Sequence, residues 1–176
     1  MRFAWPVVLV TGLVSRSKAD PGHAESAIRA GVNTGSVASN SNDDHPTGSG
    51  PFVEVEGGWR SNERMSIGGF ISYSSFADTI ASPLGMNRVH VRCLDAGVRV
   101  NGHYGGLFGG AGAGLENVYP SGYLGNVEQL QPIVELHAGF TFPAIHGVAP
   151  QTGTVTHTFD DSAEIYSARI AIGVQL

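Results

Sequence analysis

The last eleven residues of the chain alternate strictly between apolar and small or polar side chains. The segment reads YSARIAIGVQL, and its apolar set is Tyr166, Ala168, Ile170, Ile172, Val174 and Leu176. Successive side chains of a β-strand point to opposite faces, so strict alternation predicts a strand with a different environment on each side. A length of about eleven residues also matches a tilted strand that crosses a lipid bilayer.

Composition leaves strands as the only means by which this chain could cross a membrane. Its 176 residues suit one domain, and charged residues make up only 14% of them. No apolar run reaches the roughly 18–20 residues that a transmembrane helix needs. Lys18 is the single lysine and precedes every predicted strand, whereas soluble proteins usually carry surface lysines. The sequence therefore lacks an ordinary soluble surface.

Net charge and cysteine content argue against a nucleic-acid partner and exclude an intrachain disulfide. A net charge of −5 argues against nucleic acid as a partner, because phosphate binding requires a basic face. Cys93 is the only cysteine, so no intrachain disulfide can form.

Alternating segments recur through the whole chain and predict eight strands. We place them near 27–37, 52–60, 64–76, 89–101, 105–119, 130–142, 147–158 and 163–176. Short connections at 61–63, 102–104 and 143–146 take turns with longer ones at 38–51, 77–88, 120–129 and 159–162. Transmembrane barrels have this alternation of short periplasmic turns and longer extracellular loops.

One face of these strands combines glycine and serine with charged residues. Arg60 and Glu116 lie on this face, and the members that we assign to a lumen charge network are Arg29, Glu54, Glu56, Asp95, Arg99, Glu135, His137 and Arg169. A narrow barrel lumen needs small residues for space and charges that pair with each other. We predict that these side chains form an ionic network that plugs the lumen. A narrow, gated solute path is the alternative.

The opposite face is apolar and carries almost no charge. One arginine in lipid at mid-depth would cost roughly 2–4 kcal/mol, so the absence of charge is expected there. His90 and Arg92 fall on this face, and we therefore predict that the start of the fourth strand projects beyond the bilayer. Aromatic residues near the strand ends predict two interfacial girdles. They are Phe52, Trp59, Tyr73, Tyr119, Phe140, Phe142, Phe159 and Tyr166.

Several segments together resemble a known family. They are FVEVEGGWR at 52–60, IGGFISY at 67–73, AGVRV at 96–100, FGGAGAGLE at 108–116 and the C-terminal strand. With these, the chain from 25 to 176 is similar to the small eight-stranded bacterial outer-membrane barrels of the OmpA and OmpX type. The resemblance implies an all-β, eight-stranded antiparallel up-and-down transmembrane β-barrel in the outer membrane of a Gram-negative bacterium.

Both ends of the chain also have predicted roles. Residues 1–19 have Arg2, an apolar stretch and small residues before Asp20, which predicts a signal peptide. A short lead at 20–26 and the barrel domain at 27–176 follow. The C-terminal assembly strand is marked by Ile170, Ile172, Val174 and Leu176. Related barrels usually end in Phe, which the assembly machinery reads, and this chain departs from them with Leu176.

Patterns that suggest catalysis or ligands have simpler interpretations. The run GGAGAG at 109–114 lies inside a strand, not between a strand and a helix, so it does not predict a nucleotide site. The seven histidines have no metal-ligand spacing, and acidic residues in the first and last loops predict solvated loops. Some related barrels are lipid-modifying hydrolases with His, Ser and Glu, but His137 and Glu135 are predicted to face the lumen. We expect no enzyme activity, no metal and no cofactor.

The predicted function is that of an integral outer-membrane barrel with a structural or surface-interaction role through its extracellular loops. The alternative is a narrow channel for small or hydrophobic solutes. A soluble ligand-binding barrel and a lipid-modifying enzyme are weaker alternatives. The partners that this implies are outer-membrane lipid and lipopolysaccharide, the barrel assembly machinery and periplasmic chaperones. The protein is expected to be a monomer and to bind no nucleic acid.

Overall fold

The structure, a computed structural model, is an all-β closed barrel of eight strands. It describes residues 22–37, 47–82, 85–122, 129–145, 149–158 and 165–176. The strands are β1 (His23–Val37), β2 (Thr47–Asn62), β3 (Met65–Ser82), β4 (Gly85–Tyr104), β5 (Leu107–Gly122), β6 (Gln129–Thr141), β7 (Ala149–Thr158) and β8 (Ile165–Gln175). Each strand pairs antiparallel with the next, which confirms the predicted up-and-down barrel. Within the described ranges no helix is long and apolar enough to cross a membrane.

The barrel closes through the pairing of β1 with β8. Their register runs from Ala27 opposite Gln175 to Val37 opposite Ile165. The Leu176 amide extends the ladder by donating to the Ser26 carbonyl at 2.8 Å. A strand edge left open in hydrocarbon would expose backbone groups that no water could satisfy, and closure removes that edge.

Because the sheet has no edge, we expect the folded protein to resist SDS at room temperature and to unfold only on boiling. Boiled and unboiled samples, refolded in detergent, should migrate differently on a gel. Identical migration of the two samples would contradict a closed transmembrane barrel.

Alternate side chains point into the lumen and away from the barrel, with the predicted parity. In β8, Ala171 is 2% exposed and its neighbour Ile172 is 73% exposed. The outward residues of the other strands are also largely exposed and apolar, and the inward ones include many buried polar and charged groups. This distribution is the reverse of a soluble barrel, in which apolar residues fill the interior. The outer surface therefore suits hydrocarbon, as membrane-spanning barrels require.

The structure corrects the predicted strand ends. The ladder of β3 and β4 continues to Ser82 opposite Gly85, so most of the predicted loop at 77–88 is strand. Backbone pairing does not depend on apolar alternation, which disappears from the sequence before the strands end. The turn predicted at 102–104 lies instead at 105–106, where Gly105 adopts a left-handed φ of 59°.

The two ends of the barrel differ. His23 at the start of β1 pairs with Arg60 near the turn at 63–64, so the N-terminal end of β1 lies on the same side as the short turns. We call this side the turn end and the opposite side the loop end; in barrels of this topology they are periplasmic and extracellular. The predicted signal peptide, the loop segments 38–46, 123–128 and 159–164, and the acidic residues in the first and last loops lie outside the described residues.

Candidate functional site

The middle of the lumen holds a network of two arginines and three glutamates, which we call the central network. Arg29 Nη1 donates to Glu54 Oε1 and to Glu56 Oε2, each at 2.6 Å. Arg99 donates to Glu56 at 2.8 Å, to Glu54 at 2.9 Å, and through Nε to Glu135. Arg99 is 1% exposed. The contacts join β1, β2, β4 and β6, so they cross the barrel from wall to wall.

Strand register explains why this network fits. Arg29 lies directly opposite Glu54, and Arg99 lies between Gly68 and Gly112 on the neighbouring strands. A Cβ added at Gly112 would come 2.8 Å from the Glu135 Oε1 atom. The glycine run of β5 therefore leaves space for the arginine and glutamate side chains in the lumen.

Polar residues that the sequence reasoning missed extend the central network. The Asn101 amide donates to Glu56 at 2.8 Å, and its Oδ1 atom is 2.6 Å from His137 Nε2. Arg29 Nε donates to Gln151 Oε1 at 3.1 Å. The alternation of β4 and β7 placed Asn101 and Gln151 on the inward face, but an uncharged amide gives no sequence signal of a partner.

A second ionic group, the upper network, lies nearer the loop end. Arg169 Nη2 donates to Asp95 Oδ2 at 2.6 Å, and Arg169 Nη1 donates to Ser72 Oγ at 3.1 Å. Ser72 in turn donates to Asp95 at 2.6 Å. These residues come from β3, β4 and β8, and each is at most 1% exposed. The two networks include the seven charged residues assigned to the lumen charge network from the sequence, and His137 joins the central network through Asn101.

Each lumen arginine also lies over a phenylalanine ring. The guanidinium carbon is 5.5 Å from the ring centroid of Phe108 for Arg29, 4.5 Å from that of Phe70 for Arg99, and 4.8 Å from that of Phe52 for Arg169. Cation–π contacts of this kind stabilise a desolvated guanidinium by up to about 2 kcal/mol. The rings therefore provide part of the environment that holds the charges in place.

Phe52 corrects one prediction directly. It was assigned to a lipid-facing girdle because it lies near a strand end, but it is 3% exposed and points into the lumen. The alternation of β2 predicts this inward orientation, since Phe52 shares a face with Glu54 and Glu56. The face of the strand on which a residue lies, and not its position along the strand, decides whether its side chain points into the lumen.

Acidic groups outnumber basic ones in the described lumen. Five buried carboxyl groups, those of Glu54, Glu56, Asp95, Glu116 and Glu135, stand against three buried arginines. Asp95 and Glu116 lie directly opposite each other on β4 and β5. Gln131 donates to Glu116 at 2.9 Å. Glu116 was placed on the polar face from the sequence but was not assigned to the network.

An apolar cluster extends from the middle of the lumen toward the loop end, where the sequence predicted only polar and small residues. Its members, all at most 5% exposed, are Phe70, Phe76, Val91, Cys93, Val118 and Ile133. Val91 and Cys93 point inward on β4, which turns His90 and Arg92 outward and leaves them exposed. The cluster therefore begins beside the central network, where Phe70 lies over Arg99, and continues toward the loops, where Phe76 lies opposite Val91.

At the turn end lies a cavity of about 380 Å³, whose lining combines Glu25, Arg60 and His103 with Phe140 and Phe142. Arg60 Nε donates to Glu25 at 3.1 Å, and Arg60 Nη2 lies 3.1 Å from His103 Nδ1. Ser66 Oγ is 3.0 Å from the other ring nitrogen of His103. Among the described residues, no group of three or more His, Cys, Asp or Glu side chains is arranged to hold a metal ion.

The other predicted aromatic and assembly residues lie mostly on the outer wall. Trp59 and Phe142 are exposed near the turn end, and the rings of Phe140 and Phe142 meet edge to face at 5.0 Å. Tyr73 and Tyr119 occupy outward positions toward the loop end, Phe159 lies outside the described residues, and the side chain of Tyr166 is not described. Ile170 and Ile172 point outward from β8, and Val174 and Leu176 are partly exposed.

Comparisons with known proteins agree on the fold. No protein-family model matches the sequence, and no curated protein matches it. Among solved structures, Neisserial surface protein A (NspA) is 14% identical, with a TM-score of 0.55 over 86% of this chain and 96% of that one. Ail, the attachment invasion locus protein of Yersinia pestis, is 14% identical, with a TM-score of 0.51 over 89% and 99%. Outer membrane protein OprG of Pseudomonas aeruginosa is 8% identical, with a TM-score of 0.51 over 91% and 99%.

These identities support the fold and nothing finer. The chain has the eight-stranded barrel fold of small bacterial outer-membrane proteins, and the resemblance drawn from its sequence is confirmed at that level. Its apolar outer wall and charged interior agree with this placement. The chain is therefore an integral barrel of the outer-membrane type.

Proposed function

We propose that this outer-membrane barrel has a structural or surface-interaction role, with a closed lumen and its extracellular loops as the working part. The observation that supports a closed lumen is the central network. Arg99 contacts glutamates from both β2 and β6, so a solute would have to break these ion pairs to pass. An eight-stranded barrel is just wide enough for its interior to be filled by side chains.

Planar bilayer recording tests this proposal. We expect the refolded full chain to give little or no steady conductance, because both networks are buried and occupy the lumen from wall to wall. We expect the Arg99→Ala and Arg169→Ala double variant to conduct more than the unmodified protein, because the ion pairs that cross the lumen are removed. A large, stable conductance of the unmodified protein would contradict the closed lumen.

The channel alternative has one specific observation in its favour. The acidic excess in the lumen would suit the passage of a cation more than that of an anion. If the protein conducts, replacing KCl by a salt with a bulky cation should therefore abolish the current, and a bulky anion should not. A current that depends on the size of the anion, and not on that of the cation, would argue against both the closed lumen and a cation channel.

We do not propose an enzyme. His137 contacts Asn101 inside the lumen, whereas a lipid-modifying site must reach the membrane. Incubation with labelled phospholipid should therefore give no released fatty acid. The proposed partners are outer-membrane lipid and lipopolysaccharide, together with the assembly machinery and chaperones that would bring a monomer to the membrane. The outward apolar row of β8, with Ile170 and Ile172, is the surface that assembly would read.

A further inference from the structure

Arg92 is an exception on the outer wall. It is the one formally charged residue among the outward-facing strand positions whose side chains the structure describes. It is exposed on β4, two residues from the apolar Leu94 on the same face. An arginine in lipid at mid-depth costs roughly 2–4 kcal/mol, and this cost falls to about 0–1 kcal/mol near the interface. Arg92 therefore marks the level at which the apolar wall ends.

The neighbours of Arg92 change character at the same level. Across the ladder it lies opposite Ser75 on β3 and Tyr119 on β5. One step toward the loops, His90 lies opposite Ala77 and Ser121. One step toward the turns, Tyr73 and Leu94 are paired, and apolar positions continue below them. On the loop side of the apolar wall, hydroxyl groups, a guanidinium and an imidazole thus take the place of apolar side chains.

Most of these residues, with Arg92 and His90 among them, line a groove of about 450 Å³ on the outside of the barrel. Its polar wall includes Ser49, Tyr73, Ser75, His90, Arg92 and Ser121. A guanidinium presents several N–H donors in a planar fork that matches phosphate geometry, and hydroxyl groups can add further hydrogen bonds. The groove has the donors that a phosphate group requires.

We propose that this groove binds the phosphate group of a phosphorylated glycolipid in the outer leaflet, with its acyl chains lying along the apolar wall below. The inference rests on the proposed membrane placement. A glycolipid fits better than a free anion because the groove reaches Tyr73, which is paired with Leu94 of the apolar wall. A soluble anion would gain only the exposed charge of Arg92, which is worth little in water.

The test uses the full chain refolded in phosphatidylcholine nanodiscs and titrated with bisphosphorylated lipid A, with the bound lipid counted by native mass spectrometry. We expect R92Q to weaken binding roughly tenfold, as loss of a charge-assisted contact predicts. R92K keeps the positive charge but loses the planar pair of N–H donors, so its affinity for lipid A should lie between those of R92Q and the unmodified protein. R64Q is the matched control because Arg64 is exposed in the turn at the opposite end of the barrel, and it should bind as the unmodified protein does.

Two further arms identify the ligand chemistry. Dephosphorylated lipid A with the same acyl chains should bind about as weakly to the unmodified protein as lipid A does to R92Q. Inorganic phosphate at millimolar concentration should compete poorly; full competition would mean a general anion site and would overturn the glycolipid proposal. Equal binding by R92Q and the unmodified protein, or an equal loss in R64Q, would also overturn it.

The failure of this inference can be separated from failure of the proposed function. Every variant is first tested for heat-modifiability on a gel. If the proteins are heat-modifiable but R92Q binds lipid A as tightly as the unmodified protein does, only the proposed glycolipid site is refuted. If the unmodified protein is not heat-modifiable, the membrane placement on which the groove depends fails first.

Discussion

Replacing both Arg99 and Arg169 by alanine should destabilise the folded barrel more than any other change that we consider. Arg99 alone contacts three buried glutamates, and Arg169 contacts buried Asp95. Removing one partner of a buried ion pair costs roughly 3–5 kcal/mol, because the remaining charge is left in a poor solvent. The double variant leaves Arg29 as the only arginine among the described buried residues, against five carboxyl groups. Water that enters the lumen would reduce the loss.

The free energy of unfolding in urea, measured in detergent micelles, checks this expectation, and bilayer recording reports any leak. E116Q is the matched control. It removes a buried carboxylate, which lies opposite Asp95, and leaves the lumen arginines in place. We expect E116Q to be neutral or stabilising because it lowers the acidic excess. If the double arginine variant keeps both its stability and its low conductance, these arginines are solvated and the interior networks have no structural role.

The second large effect is expected for I172R. Ile172 is 73% exposed on the outer wall and lies between Ala30 and Thr152 on the neighbouring strands. A guanidinium at this position would face hydrocarbon, at a cost of roughly 2–4 kcal/mol at mid-depth. The fraction of heat-modifiable protein in the outer-membrane fraction should fall severely. I172L, which keeps an apolar surface, should assemble normally.

An inward arginine in the same strand provides the comparison of faces. Ala171 has the correct orientation, but it is 2% exposed, and a Cβ at Gly31 would come 2.7 Å from the Ala171 Cα atom. The lumen is therefore too crowded there for A171R to be well tolerated. Gln175 is a better position, because it contacts Glu25 at 3.0 Å beside the open cavity at the turn end. Q175R should assemble, and equal assembly of I172R would refute the lipid-facing assignment of Ile172.

Sequence reasoning worked wherever the information is local. Strand number, the two faces and the inward position of Arg29, Arg99 and Arg169 follow from period-two alternation, because each face of a barrel strand meets one environment over its whole length. It failed for Phe52, where nearness to a strand end was preferred to parity. It also ended β3 too early, because backbone pairing continues where the side-chain pattern no longer reports it.

The sequence by itself determined an eight-stranded barrel with an apolar outer wall and a charged lumen, since alternation is written residue by residue. Only the tertiary structure decided which charges meet. Arg29 and Gln151 are 122 residues apart and become neighbours only when β1 closes on β8 and a fixed register brings β7 near. The same closure brings Phe52 of β2 to Arg169 of β8, and the register of β4 and β5 sets Asp95 against Glu116. Such contacts depend on the register and closure of the whole sheet, which no single segment of the sequence contains.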